Sequence, residues 1–218
     1  MCAFHHSPQI VTDGLVLLLD AANTKSYPGS GTSWNDLSGG ENNGTLSAEA
    51  IGTTTGATMI FNGTSDYITV SSSNMNINKG TVSTWVKRTD GDVVYIWDAR
   101  LSDNNALLIY FTDTTMYVYS GTSIITTTSP IINTWTCVDL TYDYDINNFI
   151  LYKNGINDGS STDSKSAVTW GDFYIGARHS DSNWYWKGQI PVVKIYNKVL
   201  TQSEILQNYN ALKGRFSL

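Results

Sequence analysis

The sequence predicts an all-β protein, a two-sheet antiparallel sandwich of jelly-roll type with one short helix near the C-terminus. Composition is the first reason. Apolar residues make up 41 % of the 218, enough for a sizeable core in one domain, and the chain carries 7 Trp and 13 Tyr. The acidic residues are the second. Of 19, all are Asp except Glu41, Glu49 and Glu204, a balance that suits turns between strands rather than helices. Punctuation is the third: short apolar segments recur, and each is closed by a turn signal.

Taken in order, residues 1–13 read as an N-terminal arm and 14–218 as the domain. Leu15–Asp20 is a continuous apolar run, the pattern of a strand covered on both faces. Residues 23–56 are rich in Gly, Ser, Thr and Asn, as in "YPGSG", "LSGG" and "NNGTL", and read as one long loop. Strand segments follow: "ATMIF", "DYITV", "GTVSTWVKR", "VVYIW", "ALLIYF", "TMYVYS", "TWTCVDLTYDY", "NFILYKNG", "DFYIGA" and "QIPVVKIY". Asn154-Gly155 tolerates positive φ at both positions and predicts a two-residue hairpin. In "LTQSEILQNYNALKG", Thr201 and Glu204 form a capping box, and Ile205, Tyr209 and Leu212 form an apolar stripe. Gly214 then stands where it can close the helix.

The net charge of −6, with no basic cluster, argues against nucleic acid and anionic membranes as partners. The start, "MCAFHHSPQIV", lacks a basic segment, and "LVLLL" is too short for a secretory signal or a membrane span, so no signal peptide is expected. Cys2 and Cys137 are expected as unpaired thiols.

At this point a resemblance becomes visible. "GLVLLLDAAN", "WNDLSG…NNGTL", "FNGTSDYITV", "GTVSTWVKR", "WTCVDLTYD…FILYKNG", "FYIGAR" and "WKGQIPVVKIYNKVLTQSEI" follow one another as in laminin-G-like domains of the concanavalin A-like lectin-glucanase group. The resemblance spans about residues 14–210 and implies a concanavalin A-like jelly roll of two antiparallel sheets. Pro191 departs from the family pattern, so its strand is expected at an edge or bulged there. The family pattern also implies a structural role for Asp66, at a turn or strand end. The opening, residues 6–39, further resembles proteins of this fold encoded by tailed phages, marine ones especially, where such domains occur in virion structural proteins.

Relatives of this fold include glucanases with Glu-x-Asp-x-Glu along one strand. This chain has no such triplet, and glycoside hydrolysis needs two placed carboxylates, so an enzyme is not expected. His179-Ser180-Asp181 are consecutive and cannot easily converge as a triad. Calcium is the candidate cofactor, because related domains hold it in rim loops with Asp, Asn and backbone oxygens. Asp90, Asp92, Asp98, Asp103, Asp143 and Asp145 are the candidate ligands, against the alternative that they bond their own turns. The run from Asp143 is not an EF-hand, since Asn148 replaces the required Gly and Asn154 the required Glu.

The function expected is a non-enzymatic virion structural protein, a capsid decoration or tail component on the virion surface. Other virion proteins would be its partners, and a host-surface glycan its ligand; self-association stays open. A purely structural role without sugar binding is the alternative, and glycoside hydrolysis the third. Sugar sites combine aromatic rings with planar polar groups, which selects Trp97, Arg100, Arg178, Asp181, Asn183, Trp184 and Tyr185. In "WYWKGQI", Trp186 is expected in the core, Tyr185 on the opposite face, and Trp184 at the rim beside the polar "SDSN".

Overall fold

The computed structural model describes residues 8–48, 51, 57–73, 75, 78–179 and 184–218. Among these, two antiparallel sheets face one another. The first runs β1 (Leu15–Asp20), β15 (Lys187–Tyr196), β6 (Lys79–Arg88), β11 (Thr136–Asp143), β12 (Asn148–Lys153) and β13 (Ile156–Ser161), with β4 (Met59–Asn62) also pairing β15. The second runs β10 (Ser123–Thr128), β9 (Thr115–Ser120), β8 (Leu107–Phe111), β7 (Val94–Asp98), β14 (Phe173–Ile175), β5 (Ile68–Val70), β3 (Gly44–Leu46) and β2 (Ser33–Trp34). The expected two-sheet sandwich is the one observed.

Between the sheets lies one core, built by period-2 alternation. Val82 and Val86 of β6, Leu140 of β11, Leu107, Ile109 and Phe111 of β8, and Val118 of β9 all point into it. Asn154 (φ 52°) and Gly155 (φ 79°) make the expected hairpin between β12 and β13. Four strands escaped the sequence pattern. β2 and β3 lie inside the stretch expected as a loop, while β10 and β13 are polar strands at the sheet edges. An edge strand need not alternate, because burial does not select its side chains.

Pro191 sits in β15, which is central rather than an edge strand. The register against β6 shifts between Gln189 and Val192, and β15 changes partner from β4 to β1 at this point. The bulge removes the need for the N–H that proline lacks. Asp66 has its expected structural role, accepting from the Asn62 N–H at 2.9 Å.

The outer face of the seven-stranded sheet is covered. Helix α1 (Gln202–Leu212) starts at the predicted capping box: Thr201 Oγ1 accepts from the Glu204 N–H at 3.3 Å, and Glu204 Oε2 accepts from the Thr201 N–H at 2.8 Å. Gly214 does not close it; the chain passes into a 3₁₀ turn (Lys213–Phe216) ended by Ser217 in left-handed conformation. Together they bury Trp85, which stacks on Phe216 at 4.2 Å and on Tyr209 at 5.7 Å. Beneath this cover lie Cys137, a free buried thiol, and the buried Asp139 and Lys194. Burial pushes the Asp139 pKa up and the Lys194 pKa down. Cys2 lies outside the described residues.

The arm needs a correction. Val11 is buried, its N–H donates to Asn208 Oδ1 of α1 at 2.8 Å, and its carbonyl accepts from the Tyr196 hydroxyl at 3.0 Å. Gln207 donates to the Gln9 carbonyl at 2.8 Å. Residues 9–11 thus belong to the domain, because α1 leaves a polar Asn208 that this segment satisfies; residues 1–7 lie outside the described residues. No helix among the described residues is long and apolar enough to cross a membrane.

Candidate functional site

The outer face of the eight-stranded sheet carries a cleft of about 440 Å³. Leu108 of β8 forms its floor. Tyr95 of β7 and Tyr110 of β8 form one wall, while Tyr119 of β9, Arg100 and Asp103 face them. These side chains share a face by register: Tyr95 pairs Tyr110, and Leu108 pairs Tyr119.

Local chain geometry brings two distant segments to this cleft. After β14 the chain leaves the sheet at Gly176, whose φ is 79° and whose Cβ, if present, would strike the Phe61 ring. The Gly176 carbonyl accepts from the Trp186 N–H at 2.7 Å, Ala177 pairs Tyr185, and the Arg178 N–H donates to the Trp184 carbonyl at 3.2 Å. This pinched neck sets Arg178 beside Trp184, with the guanidinium 4.7 Å from the indole centroid. Trp184 also meets Tyr95 at 6.2 Å.

Arginines and carboxylates alternate across the cleft. Asp98 Oδ2 accepts from Arg100 Nε at 2.6 Å and from the His179 N–H at 3.2 Å, while its Oδ1 accepts from the Arg100 N–H at 2.9 Å. Asp103 Oδ1 accepts from Arg100 Nη1 at 2.6 Å and from Arg178 Nη2 at 2.9 Å. Two guanidiniums and two carboxylates leave the site without net charge. Burial pushes the Asp98 pKa up despite Arg100, and the Arg178 hydrogen bond holds Asp103 below the usual carboxylate range. Burial also raises Tyr95, which stays a neutral hydroxyl. The Asp103 side chain is 74 % exposed, so its carboxylate reaches solvent while Oδ1 joins both arginines. The cleft therefore offers aromatic surface, guanidinium donors and a carboxylate acceptor within one groove.

Of the residues selected from sequence, Trp184, Arg100 and Arg178 meet here. Trp186 is in the core and Trp184 is half-buried at the cleft, as expected. Trp97 is corrected: it is fully buried and stacks on Phe173 at 5.5 Å. A β-bulge between Tyr95 and Trp97 turns Tyr95 outward and Trp97 inward. Tyr185 lies away from the cleft and joins Tyr67, at 6.5 Å, and Tyr174 in a second aromatic patch. Asp181 and Asn183 lie outside the described residues.

The six carboxylates considered for calcium do not converge. Asp98 and Asp103 are held by arginines. Asp90 pairs Lys187 at 3.0 Å, and Asp92 is exposed in the same turn. Asp143 accepts from the Asp145 N–H at 2.9 Å, and Asp145 pairs Lys79 at 3.2 Å. Among the described residues, no group of three or more His, Cys, Asp or Glu side chains is placed to hold a metal ion. The site residues that the sequence reading missed are Tyr95, Tyr110, Tyr119 and Leu108. Alternation in "ALLIYF" and "TMYVYS" was the signal that could have found Tyr110 and Tyr119.

Comparison with known proteins agrees with this architecture. The Trypanosoma rangeli sialidase in complex with the inhibitor DANA superposes with a TM-score of 0.73 at 16 % identity, covering 97 % of this chain and 36 % of that one. Domain 4 of an extracellular arabinanase from Geobacillus stearothermophilus, in complex with arabinotriose, gives 0.67 at 18 %, covering 89 % and 98 %. The receptor-binding domain of botulinum neurotoxin C/D mosaic serotype gives 0.65 at 17 %, covering 91 % and 51 %. The chain spans about a third of the length of the sialidase, and at these identities the likeness is one of fold. No match is found among the curated proteins. The profile of the concanavalin A-like lectin/glucanases superfamily matches residues 62–206, from the end of β4 into α1. With the sheet order and the matched span in agreement, the chain belongs to the concanavalin A-like lectin/glucanase superfamily.

Proposed function

We propose that the protein binds carbohydrate in the cleft on the eight-stranded sheet and does not turn it over. The observation that carries this reading is the Arg100–Asp103–Arg178 triplet set against Tyr95, Tyr110 and Trp184. A sugar presents C–H groups that pack against ring edges and apolar surface, and hydroxyls that need both donors and acceptors. A neutral, half-aromatic groove with paired planar ions supplies all of these. The arabinotriose complex of the arabinanase domain, which this chain matches over nearly its whole length, supports the reading by analogy of fold.

Binding without hydrolysis is supported by the carboxylates. Hydrolysis needs one carboxyl group to donate a proton. Asp98 is buried with both oxygens bonded to Arg100, and Asp103 is held ionised by Arg178. Calcium is left out of the proposal, since Arg100 and Arg178 already neutralise the two carboxylates at the cleft. The same proposal places the protein on a virion surface, among other virion proteins and facing a host-surface glycan. Its support is the likeness of residues 6–39 to tailed-phage proteins.

A glycan array with the intact protein tests the binding. The expected result is a defined set of saccharides whose signal falls about tenfold or more in Arg178→Ala. Binding that is indifferent to Arg178→Ala and Trp184→Ala, or no binding at all, contradicts it and favours a purely structural role.

A further inference from the structure

We infer that the ligand is a neutral saccharide chain that leaves the cleft across strands β8, β9 and β10, advancing about one sugar unit per strand. The inference rests on the carbohydrate reading of the cleft and goes beyond it, because it concerns residues outside the cleft.

The tyrosine row does not stop at the cleft wall. Tyr95 meets Tyr110 at 5.3 Å with planes 19° apart, and Tyr110 meets Tyr117 of β9 at 4.7 Å with planes 9° apart. Coplanar rings lying flat on a sheet cannot bring their centroids so close, so these rings stand up and overlap face to face. Both faces of Tyr110 are therefore taken by its neighbours. What the row offers a ligand is its upper edge, hydroxyls included. Tyr117 pairs in register with Thr126 of β10, an exposed residue that continues the row to the sheet edge with one more hydroxyl.

The spacing of this row is the strand spacing, about 4.8 Å. That is close to the length of one sugar unit in an extended chain. A chain crossing the strands would thus bring successive rings over successive hydroxyls in phase. A chain running along β9 would meet only Tyr117 and Tyr119, which lie two residues apart at about 6.8 Å, out of step with the sugar units. The row carries no charged side chain, and the cleft at its inner end is charge-compensated, so nothing along the path selects an anionic ligand. Edge hydroxyls can serve as donors or acceptors to whichever hydroxyl the chain presents, which suits a repeating polymer.

Isothermal titration with disaccharides and hexasaccharides of the arabinan, cellulose and amylose series tests this, using the intact protein. In the series that binds, the hexasaccharide should bind about tenfold more tightly than the disaccharide. Tyr117→Phe keeps the ring and its packing and removes only the hydroxyl. It should erase most of that gain while leaving the disaccharide, which ends within the cleft, unchanged. Equal affinity for both lengths, or a Tyr117→Phe variant that keeps the full gain, overturns the extended-chain inference and leaves the cleft reading standing. No binding in any series overturns both for neutral glycans.

Discussion

The two outer faces of this sandwich carry similar side chains and meet opposite fates. On the seven-stranded sheet, Trp85 stacks between Tyr209 and Phe216, which the chain supplies from its own C-terminal segment. On the eight-stranded sheet, Tyr95, Tyr110 and Tyr117 stack in a row, Tyr95 meets Trp184 in a tilted contact, and among the described residues no helix lies over them. Both rows bury ring faces. Only the second leaves a row of tyrosine edges and hydroxyls, with the Asp103 carboxylate, toward solvent. An aromatic row is thus a core device where the chain covers it and a recognition device where the chain does not.

The covered face should respond to mutation through stability. Trp85→Ala removes a fully buried indole from its two ring partners and should cost about 3–5 kcal/mol, read from urea unfolding. The folded fraction should keep its glycan affinity. Deleting residues 1–13 should cost about 2–3 kcal/mol, because it exposes the pocket of Val11 and leaves Asn208 and the Tyr196 hydroxyl without their partners. A melting temperature unchanged by this deletion would return the segment to the status of a loose arm.

The helix cap is a smaller lever on the same face. Thr201→Ala should cost about 1 kcal/mol. Glu204 has its pKa lowered by the Thr201 N–H and by Lys198. Its contribution is therefore fully present above the unfolded value of about 4.3 and drains away as pH falls through the lower folded value. Comparing wild-type and Glu204→Gln unfolding between neutral and acid pH should show that the variant lacks this component. An identical acid slope would remove Glu204 from the cap's energetics.

The open face should respond through binding. Trp184→Ala should change stability by about 1 kcal/mol or less, since the ring is half-buried, while weakening saccharide binding about tenfold. A variant as unstable as Trp85→Ala would show that Trp184 is core and that the contrast between the faces is false.

The fold was legible because alternation and turn residues are local signals. The Thr201–Glu204 box and the Asn154-Gly155 turn depend on neighbours within a few positions, and both stand as read. Trp186 in the core followed from the family pattern, and Trp184 at the rim from its place beside the polar "SDSN". Trp97 was misread because residue type and nearness to a strand end do not fix which face a ring takes, and the bulge between Tyr95 and Trp97 turns it inward. No local pattern announces that bulge. The surroundings of the carboxylates were legible only in part: Asp143 bonds its own turn, a local contact, whereas Asp103 meets Arg178 from 75 positions away, so that partner is fixed by strand order and not by spacing. Asn208 is buried in α1 for the same reason: its partner, the Val11 N–H, comes from 197 positions away.

Hydrogen exchange with and without the best-binding saccharide tests the central contrast most directly. The account predicts slower exchange confined to β7, β8, β9 and β10 and to the neck at residues 176–178 and 184–186, with no change in α1 or the 3₁₀ turn after it. Protection centred on α1 and residues 9–13, with the tyrosine strands unaffected, would contradict it.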